Sequence, residues 1–162
     1  MEDINRDLAV YVLVRTDLPS MNPGKAMSQC HHAGVQMMHT YSTDPMVIAY
    51  IMDGAKQGGG GFNTTIVLGA TYDQICAAQP MATMLGQPDY LLCGSVIDPS
   101  YPFVVDKEIA DLIPKTETTK IVGELDNGKV LMVRPEFTVA WFLGDRNNPK
   151  FRALFNGLSL HP

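Results

Sequence analysis

The chain has 162 residues, 46% of them hydrophobic, and a formal net charge of −5. This size and composition predict one folded domain over residues 1–162 and argue against a disordered chain. The acidic balance argues against non-specific nucleic-acid binding, because that affinity comes largely from lysine and arginine side chains on phosphates.

The cellular setting is also predicted from the sequence. No run approaches the ~18 apolar residues of a membrane span, so no membrane partner is expected. Residues 1–7 lack the basic start and apolar stretch of a secretory signal. Cys30, Cys76 and Cys93 are odd in number and scattered, which indicates neither a disulfide framework nor a zinc site. We therefore expect a cytoplasmic protein with reduced cysteines.

The first strand and helix have the strongest local signals. Residues 8–14 form a valine-rich apolar run, which predicts a strand buried on both faces. Asn22 is a suitable N-cap and Pro23 suits the first helical position. At about 100° per residue, small apolar side chains form a stripe suited to packing on a sheet: Ala26, Cys30, Ala33 and Met37. A polar stripe, expected to be half-buried, lies beside it: Lys25, Gln29, His32 and Gln36.

Lys25 is the most informative residue of this helix. Backbone N–H groups make a helix start electropositive, so a lysine in the first turn is unfavourable. Turns from a strand into a helix are also where open α/β sheets place ligands. A functional lysine and an ordinary solvated polar stripe are both consistent with this pattern.

The next segments predict a helix, a connector and a strand. Asp44-Pro45 repeats the cap-and-proline signal before a helix at 46–52. The glycine run at 58–61 follows a helix and precedes a strand, whereas a phosphate-binding loop needs the opposite order. We interpret the run as a flexible connector and predict the next strand at 64–70.

A further helix is expected between this strand and another at 90–97. Thr71 or Asp73 can cap the helix, and Gly86 can end it. Pro80 should kink or split it. A helix between two buried strands is a βαβ unit, which predicts that the two strands are parallel neighbours.

The segment 99–136 carries most of the lysines. A short helix is expected at 106–113, and residues 119–133 indicate a β-hairpin with Asn127-Gly128 at its turn. The last core strand is predicted at 137–143.

The end of the chain predicts one more helix. Asn148-Pro149 starts it, and it runs to about residue 156 before Gly157. The predicted fold is therefore α/β: a single compact domain with a mixed, mostly parallel sheet of about four core strands, flanked by helices, with an inserted β-hairpin.

The residues that open the chain resemble the archaeal and eukaryotic type (type 2) of peptidyl-tRNA hydrolase. That family has an apolar strand ending in Arg-x-Asp-Leu, then a helix reading Gly-Lys-x-x-x-Gln-Cys-x-His-Ala. The matching positions here are Arg15, Asp17, Leu18, Gly24, Lys25, Gln29, Cys30, His32 and Ala33. The resemblance implies a mixed α/β domain that hydrolyses the ester of peptidyl-tRNA without a metal or other cofactor.

The chain departs from this family after the third predicted strand. The family has an aspartate-alanine-glycine-arginine-threonine turn whose aspartate and threonine belong to the active site. Here residues 96–101 stand in its place, and Asp98 is the best candidate for the aspartate, although an ungapped count would give Gly94. The arginine-threonine pair has no evident counterpart. Relative to the family, 99–136 is an insertion, either a flap beside the site or inert decoration.

Ester hydrolysis needs an oriented water and a group that stabilises the developing oxyanion. For catalysis we assign Lys25, as oxyanion or phosphate ligand, and Asp98, which can position a water or simply start an Asp-Pro turn. His32 either activates water or is a buried helix–sheet contact. His31, on another face, is expected to be structural or exposed.

Other residues are assigned to binding. Gln29 can orient substrate or a neighbouring side chain, and Arg15 and Asp17 can pair or line the entrance. Contacts with tRNA are expected from a late basic cluster, which is also consistent with scattered solvated charges: Arg146, Lys150 and Arg152. No metal-ligand spacing is present.

The predicted function is hydrolysis of the ester of peptidyl-tRNA to free tRNA and peptide. The alternative is a family-like fold without catalysis that binds a protein or RNA partner. The acidic balance and the missing arginine-threonine pair favour the alternative, whereas the intact lysine helix favours the enzyme. The sequence leaves the oligomeric state open, a homodimer included.

Overall fold

The computed structural model describes residues 7–56, 63–85 and 91–161, without the side chains of residues 54–56. The predicted glycine connector, the helix-ending Gly86 and the predicted strand start at Tyr90 lie outside these residues. The strands are β1 (Leu8–Arg15), β2 (Thr64–Ala70), β3 (Leu92–Asp106), β4 (Lys120–Glu124), β5 (Lys129–Asp145) and β6 (Ser159–Leu160). The helices are α1 (Pro23–Tyr41), α2 (Pro45–Lys56), α3 (Tyr72–Thr83), α4 (Lys107–Leu112) and α5 (Pro149–Ala153).

The six described strands form one mixed sheet in the order β3-β5-β1-β2-β6, with β4 paired to β5. Strands β1 and β2 are parallel, and α1 and α2 connect them. The other described pairings are antiparallel. The α/β class is therefore confirmed, but the expectation of a mostly parallel sheet with about four strands is wrong.

The expected pairing of the second and third strands is also wrong, because β1 and β5 lie between β2 and β3. Strand β3 instead pairs with β5 from Leu92↔Leu143 to Asp106↔Lys129. Both strands are much longer than predicted, with 15 and 17 residues, whereas β2 has seven. Among the described strands, only β5 pairs with β3 from one end of β3 to the other.

The central strand is buried on both faces, as its sequence predicted. Val10, Val12 and Val14 belong to the core cluster beneath α1 and α2. Leu13 belongs to the opposite cluster, beneath α3 and α5. The small stripe of α1 also packs as expected: Ala26, Ala33 and Met37 are buried, and Cys30 is partly buried against them.

The helix starts confirm the local signals. The Asn22 side chain accepts from the Lys25 backbone N–H at 3.0 Å. Asp44 accepts from the Met46 backbone N–H at 2.8 Å. Thr71 caps α3 in a capping box. These interactions are local, which is why the sequence alone predicted them.

Some helix ends differ from the predictions. Helix α2 continues to Lys56, and α5 ends at Ala153 rather than near 156. Pro80 does not split α3, which runs on to Thr83. The proline removes one helical hydrogen bond, the one to the Cys76 carbonyl, but only three residues of the helix follow it, so its effect on the remaining helix is small. Gly157 has a φ of 83°, the left-handed conformation expected of a residue that ends such a segment.

Beyond the core, β3 and β5 continue as a ribbon, which with α4 and β4 forms an arm (residues 99–136). The predicted hairpin is confirmed: β4 pairs with β5, and Asn127 at the turn has a left-handed φ of 64°. The predicted short helix is also present, as α4. Ala110, Val130 and Met132 give the arm its own buried cluster. Because β3 and β5 both run from the core into the arm, the arm is a continuation of the core sheet.

In the described part of the chain, no helix is long and apolar enough to span a membrane.

Candidate active site

Lys25 lies in the first turn of α1, half-buried against the base of the arm. Its Nζ is 3.4 Å from the Pro102 carbonyl oxygen and 4.9 Å from the centroid of the Tyr101 ring. Burial lowers the pKa of Lys25, and the nearby negative charge of Asp98 opposes that shift. The side chain is thus an ammonium group held in a partly desolvated position.

A chain of hydrogen bonds joins α1 to β3 and β5 one turn further along the helix. The Thr138 hydroxyl donates to Gln29 Oε1 at 2.7 Å, and Gln29 Nε2 donates to Asp98 Oδ2 at 2.9 Å. The Ser100 backbone N–H donates to Asp98 Oδ1 at 2.9 Å. Gln29 and Thr138 are buried, with 4% and 0% exposure. Both carboxylate oxygens of Asp98 are therefore oriented by the protein.

Two irregularities between β3 and β5 create this arrangement. The register steps from Val96↔Val139 to Ile97↔Phe137, which leaves Thr138 as an extra residue on β5. A bulge redirects a side chain, and here Thr138 contacts α1. A second shift follows Asp98, before Tyr101.

Asp98 therefore lies inside a long strand, and the expectation that it ends a strand at an Asp-Pro turn is wrong. The turn signal was overridden because β5 supplies a continuous partner on the far side of the bulge. The structure nevertheless brings Asp98 close enough to Lys25 for the carboxylate charge to raise the pKa of Lys25 against the effect of burial.

Gln36 makes a similar bridge two turns along α1. Its Nε2 donates to the Ser95 carbonyl at 2.8 Å, and Trp141 Nε1 donates to its Oε1 at 2.8 Å. Gln29 and Gln36 thus both tie α1 to β3 and β5. The difference is that the Gln29 bridge ends on a carboxylate and the Gln36 bridge ends on a backbone carbonyl.

Arg15 is buried beside this site, at 8% exposure. It ion-pairs with Asp17, and it donates to Glu136 Oε1 at 3.3 Å and to the Phe137 carbonyl at 3.0 Å. Burial lowers the pKa of Arg15, but Asp17 and Glu136 outweigh it and the net shift is upward. Arg134 pairs with the other Glu136 oxygen at 2.7 Å.

The pairing alternative for Arg15 and Asp17 is therefore the one observed. Burial raises the pKa of Asp17, but hydrogen bonds from Arg15 and the Tyr72 backbone N–H give a net decrease. The Tyr72 ring also lies 5.1 Å from the Arg15 guanidinium carbon. Protein partners surround Arg15, and a direct substrate contact stays a prediction.

The two adjacent histidines are both exposed. His32 is therefore neither half-buried nor a contact between the helix and the sheet. It belongs to the polar stripe of α1, but it does not face β3 as Gln29 and Gln36 do. His31 is exposed as expected and lines an apolar cavity of about 810 Å³ with Val35 and Met38. Lys25 and Asp98 do not line this cavity, so it is separate from the site at the base of the arm.

The late basic cluster lies at the opposite end of the sheet. Arg146 follows β5 and pairs with Asp7, which precedes β1, at 2.7 Å. Arg15 is at the other end of β1, roughly 23 Å away at ~3.3 Å per strand residue. Lys150 and Arg152 are exposed on or near α5. A ligand that contacts both regions must therefore be extended.

Sequence reasoning missed three residues of the site: Thr138, Glu136 and Tyr101. Thr138 is a polar residue in the apolar run 137–143, a signal that could have been used. The pairing of β3 with β5 brings Glu136 and Tyr101 to the site, and no local sequence pattern indicates that pairing. Among the residues described, no three His, Cys, Asp or Glu side chains come together to hold a metal ion.

Comparison with known families supports the resemblance seen in the sequence. Residues 8–64 match the family model of peptidyl-tRNA hydrolase PTH2. The match covers β1, α1, α2 and the first residue of β2, so it includes Lys25 and Gln29 but neither Asp98 nor Thr138. No curated protein matches the chain.

Proposed function

We propose that this protein hydrolyses the ester bond of peptidyl-tRNA, releasing free tRNA and peptide, and that it does so in the cytoplasm. The observation that carries the proposal is the partly desolvated Lys25 beside an Asp98 carboxylate oriented by Gln29. The match of residues 8–64 to peptidyl-tRNA hydrolase PTH2 supports the choice of substrate.

The proposed reaction gives each of these groups a role. Asp98 accepts a hydrogen bond from a water and orients it toward the ester carbonyl carbon. The water oxygen bonds to that carbon, and Lys25 stabilises the negative charge that develops on the carbonyl oxygen. The bond to the ribose oxygen then breaks. One proton of the attacking water passes to that oxygen, which leaves with the tRNA as a hydroxyl group. The other proton is released to solvent, and the peptide leaves as a carboxylate.

The positions of the charges support this division. A carboxylate that is already hydrogen-bonded by Gln29 and Ser100 needs little reorganisation to hold a water. A desolvated ammonium interacts more strongly with a nearby oxyanion than a fully hydrated one does. His32 is exposed and has no role in this scheme.

The experiment is hydrolysis of peptidyl-tRNA by the parent and by Lys25→Ala and Asp98→Asn. Losing one preorganised electrostatic contact costs on the order of 10²–10³ in kcat. We expect a loss of this order for Lys25→Ala with little change in melting temperature. Asp98→Asn keeps the shape but loses the charge, so kcat should fall while tRNA binding is retained.

The second candidate is a non-catalytic module that binds a protein or RNA. It is favoured by the contact of Lys25 with the Pro102 carbonyl, which occupies the ammonium in the absence of substrate. Absence of turnover in the parent, under conditions where an active peptidyl-tRNA hydrolase works, would support this candidate. Turnover that is unaffected by Asp98→Asn would remove Asp98 from the mechanism.

A further inference from the structure

Tyr101 is a buried aromatic residue at the base of the arm, with 2% exposure. Its ring lies under the Lys25 ammonium, with 4.9 Å between Nζ and the ring centroid. The next residue, Pro102, presents its carbonyl oxygen to Lys25 Nζ at 3.4 Å and to the Ser20 hydroxyl at 2.7 Å. The two residues form a continuous platform below Lys25.

The arm supplies this platform through the second register shift of β3. After Asp98 the strand has one more residue than β5 before Tyr101 pairs with Arg134. The same strand segment thus carries Asp98 on one side of the bulge and Tyr101 on the other. The arm therefore reaches the site directly.

A lysine side chain loses considerable rotamer freedom when it is fixed. A ring face attracts an ammonium through its quadrupole, and the attraction is stronger when the pair is desolvated. Because Lys25 is half-buried and Tyr101 is fully buried, the ring can offset the cost of holding the ammonium in one place.

We propose that Tyr101 is a positioning residue for Lys25, whose ring holds the ammonium where it acts on the ester. This inference rests on the proposed hydrolase function. Tyr101 acts through Lys25 and does not itself contact the reacting atoms. Its hydroxyl has no hydrogen bond of good geometry within the described residues, although Ser20 is near enough to affect its pKa. The positioning role therefore belongs to the aromatic ring of Tyr101 and not to its hydroxyl.

The test changes the ring while keeping its shape. Phenylalanine at position 101, then phenylalanines with increasing ring fluorination, weaken the negative ring face with little change in volume. We expect Tyr101→Phe to retain the kcat of the parent and the fluorinated series to fall stepwise, reaching on the order of tenfold, with KM unchanged. Tyr101→Leu, which removes the ring, should show at least that loss.

Phe103→Leu is the matched control. Phe103 lies two residues along β3, and its ring stacks on the Arg134 guanidinium with 4.8 Å between carbon and centroid. This variant removes a similar contact from the same strand but should keep the kcat of the parent. A kcat that does not change along the fluorinated series would overturn the proposal. So would a loss that only follows the melting temperature in every variant, Phe103→Leu included.

An NMR measurement separates this inference from the proposed function. The ring should shift the Lys25 ε-methylene protons upfield in the parent and in Tyr101→Phe, whether or not the protein is an enzyme. Absence of that shift shows that the contact does not form and refutes the positioning role alone. If the shift is present but the parent hydrolyses nothing, the proposed function and the role of Tyr101 in it both fail.

Discussion

Gln29→Met should damage both stability and catalysis, and Gln36→Met should damage stability alone. Methionine has a similar size but can replace neither amide hydrogen bond. In Gln29→Met, Thr138 loses its 2.7 Å partner and keeps only the Val96 carbonyl at 3.3 Å. Asp98 loses the 2.9 Å bond from Gln29 Nε2.

The size of the stability effect follows from the hydrogen bonds that each variant loses. Leaving a buried polar group poorly satisfied costs about 1–3 kcal/mol. For a chain of this length, each kcal/mol lowers the melting temperature by about 2–4 °C. Gln36→Met leaves the buried Trp141 indole N–H without its partner, so we expect a similar loss.

The catalytic effect should differ between the two variants. A hydrogen bond to a charged group contributes about 1.5–3 kcal/mol. If this bond holds Asp98 in its reactive position, Gln29→Met should lower kcat by between about tenfold and about a hundredfold. Gln36→Met, whose bridge ends on a backbone carbonyl, should keep the kcat of the parent.

Thermal unfolding and peptidyl-tRNA hydrolysis, measured on both variants below their melting temperatures, decide the question. Equal losses of kcat in the two variants would mean that the Gln29 bridge is only structural. A parent-like kcat in Gln29→Met would show that Asp98 does not need this orientation and would refute a catalytic role for the Gln29 bridge.

Two other predictions concern charge. The pKa of Lys25 is lowered from 10.5, and the ammonium is the active form, so kcat should fall as the pH rises through a value below 10.5. Lys25→Arg should remove this alkaline decrease, because arginine stays protonated over the same range. The measurement is a pH profile of kcat corrected for spontaneous ester hydrolysis. Lys150→Ala and Arg152→Ala should each weaken tRNA binding and reduce its salt slope by about one if they contact phosphates, with kcat unchanged. Lys120→Ala, in the arm, is the control, and equal slopes in all three variants would contradict the assignment.

The first helix could be predicted from sequence because its signals are local. Asn22 and Pro23 fix its start, and its period identifies the buried apolar stripe. The same pattern placed Lys25 and Gln29 on one side. It failed for His32, because the depth of each residue within a polar stripe depends on where the sheet lies against the helix.

The pairing of β3 with β5 could not be predicted in the same way. Asp98-Pro99 is a normal turn signal, and only the distant β5 makes it part of a strand. The apolar run 137–143 predicts a regular strand that includes Thr138. A bulge depends on the register between two strands, so the sequence of one strand does not reveal it. The site depends on this long-range register more than on any motif.

The two similar bridges show what burial of polar groups can and cannot indicate. A buried amide that links a helix to two strands is not by itself a sign of catalysis, since Gln36 makes such a link with Ser95 and Trp141. The Gln29 bridge differs at its end. It orients a carboxylate that lies near a partly desolvated lysine, and this pair of opposite charges is not needed to hold α1 on the sheet. Apolar side chains of similar volume could hold the helix equally well. A binding module would therefore gain little from keeping Lys25 and Asp98 together, whereas ester hydrolysis requires both an oriented water and a charge to meet the oxyanion.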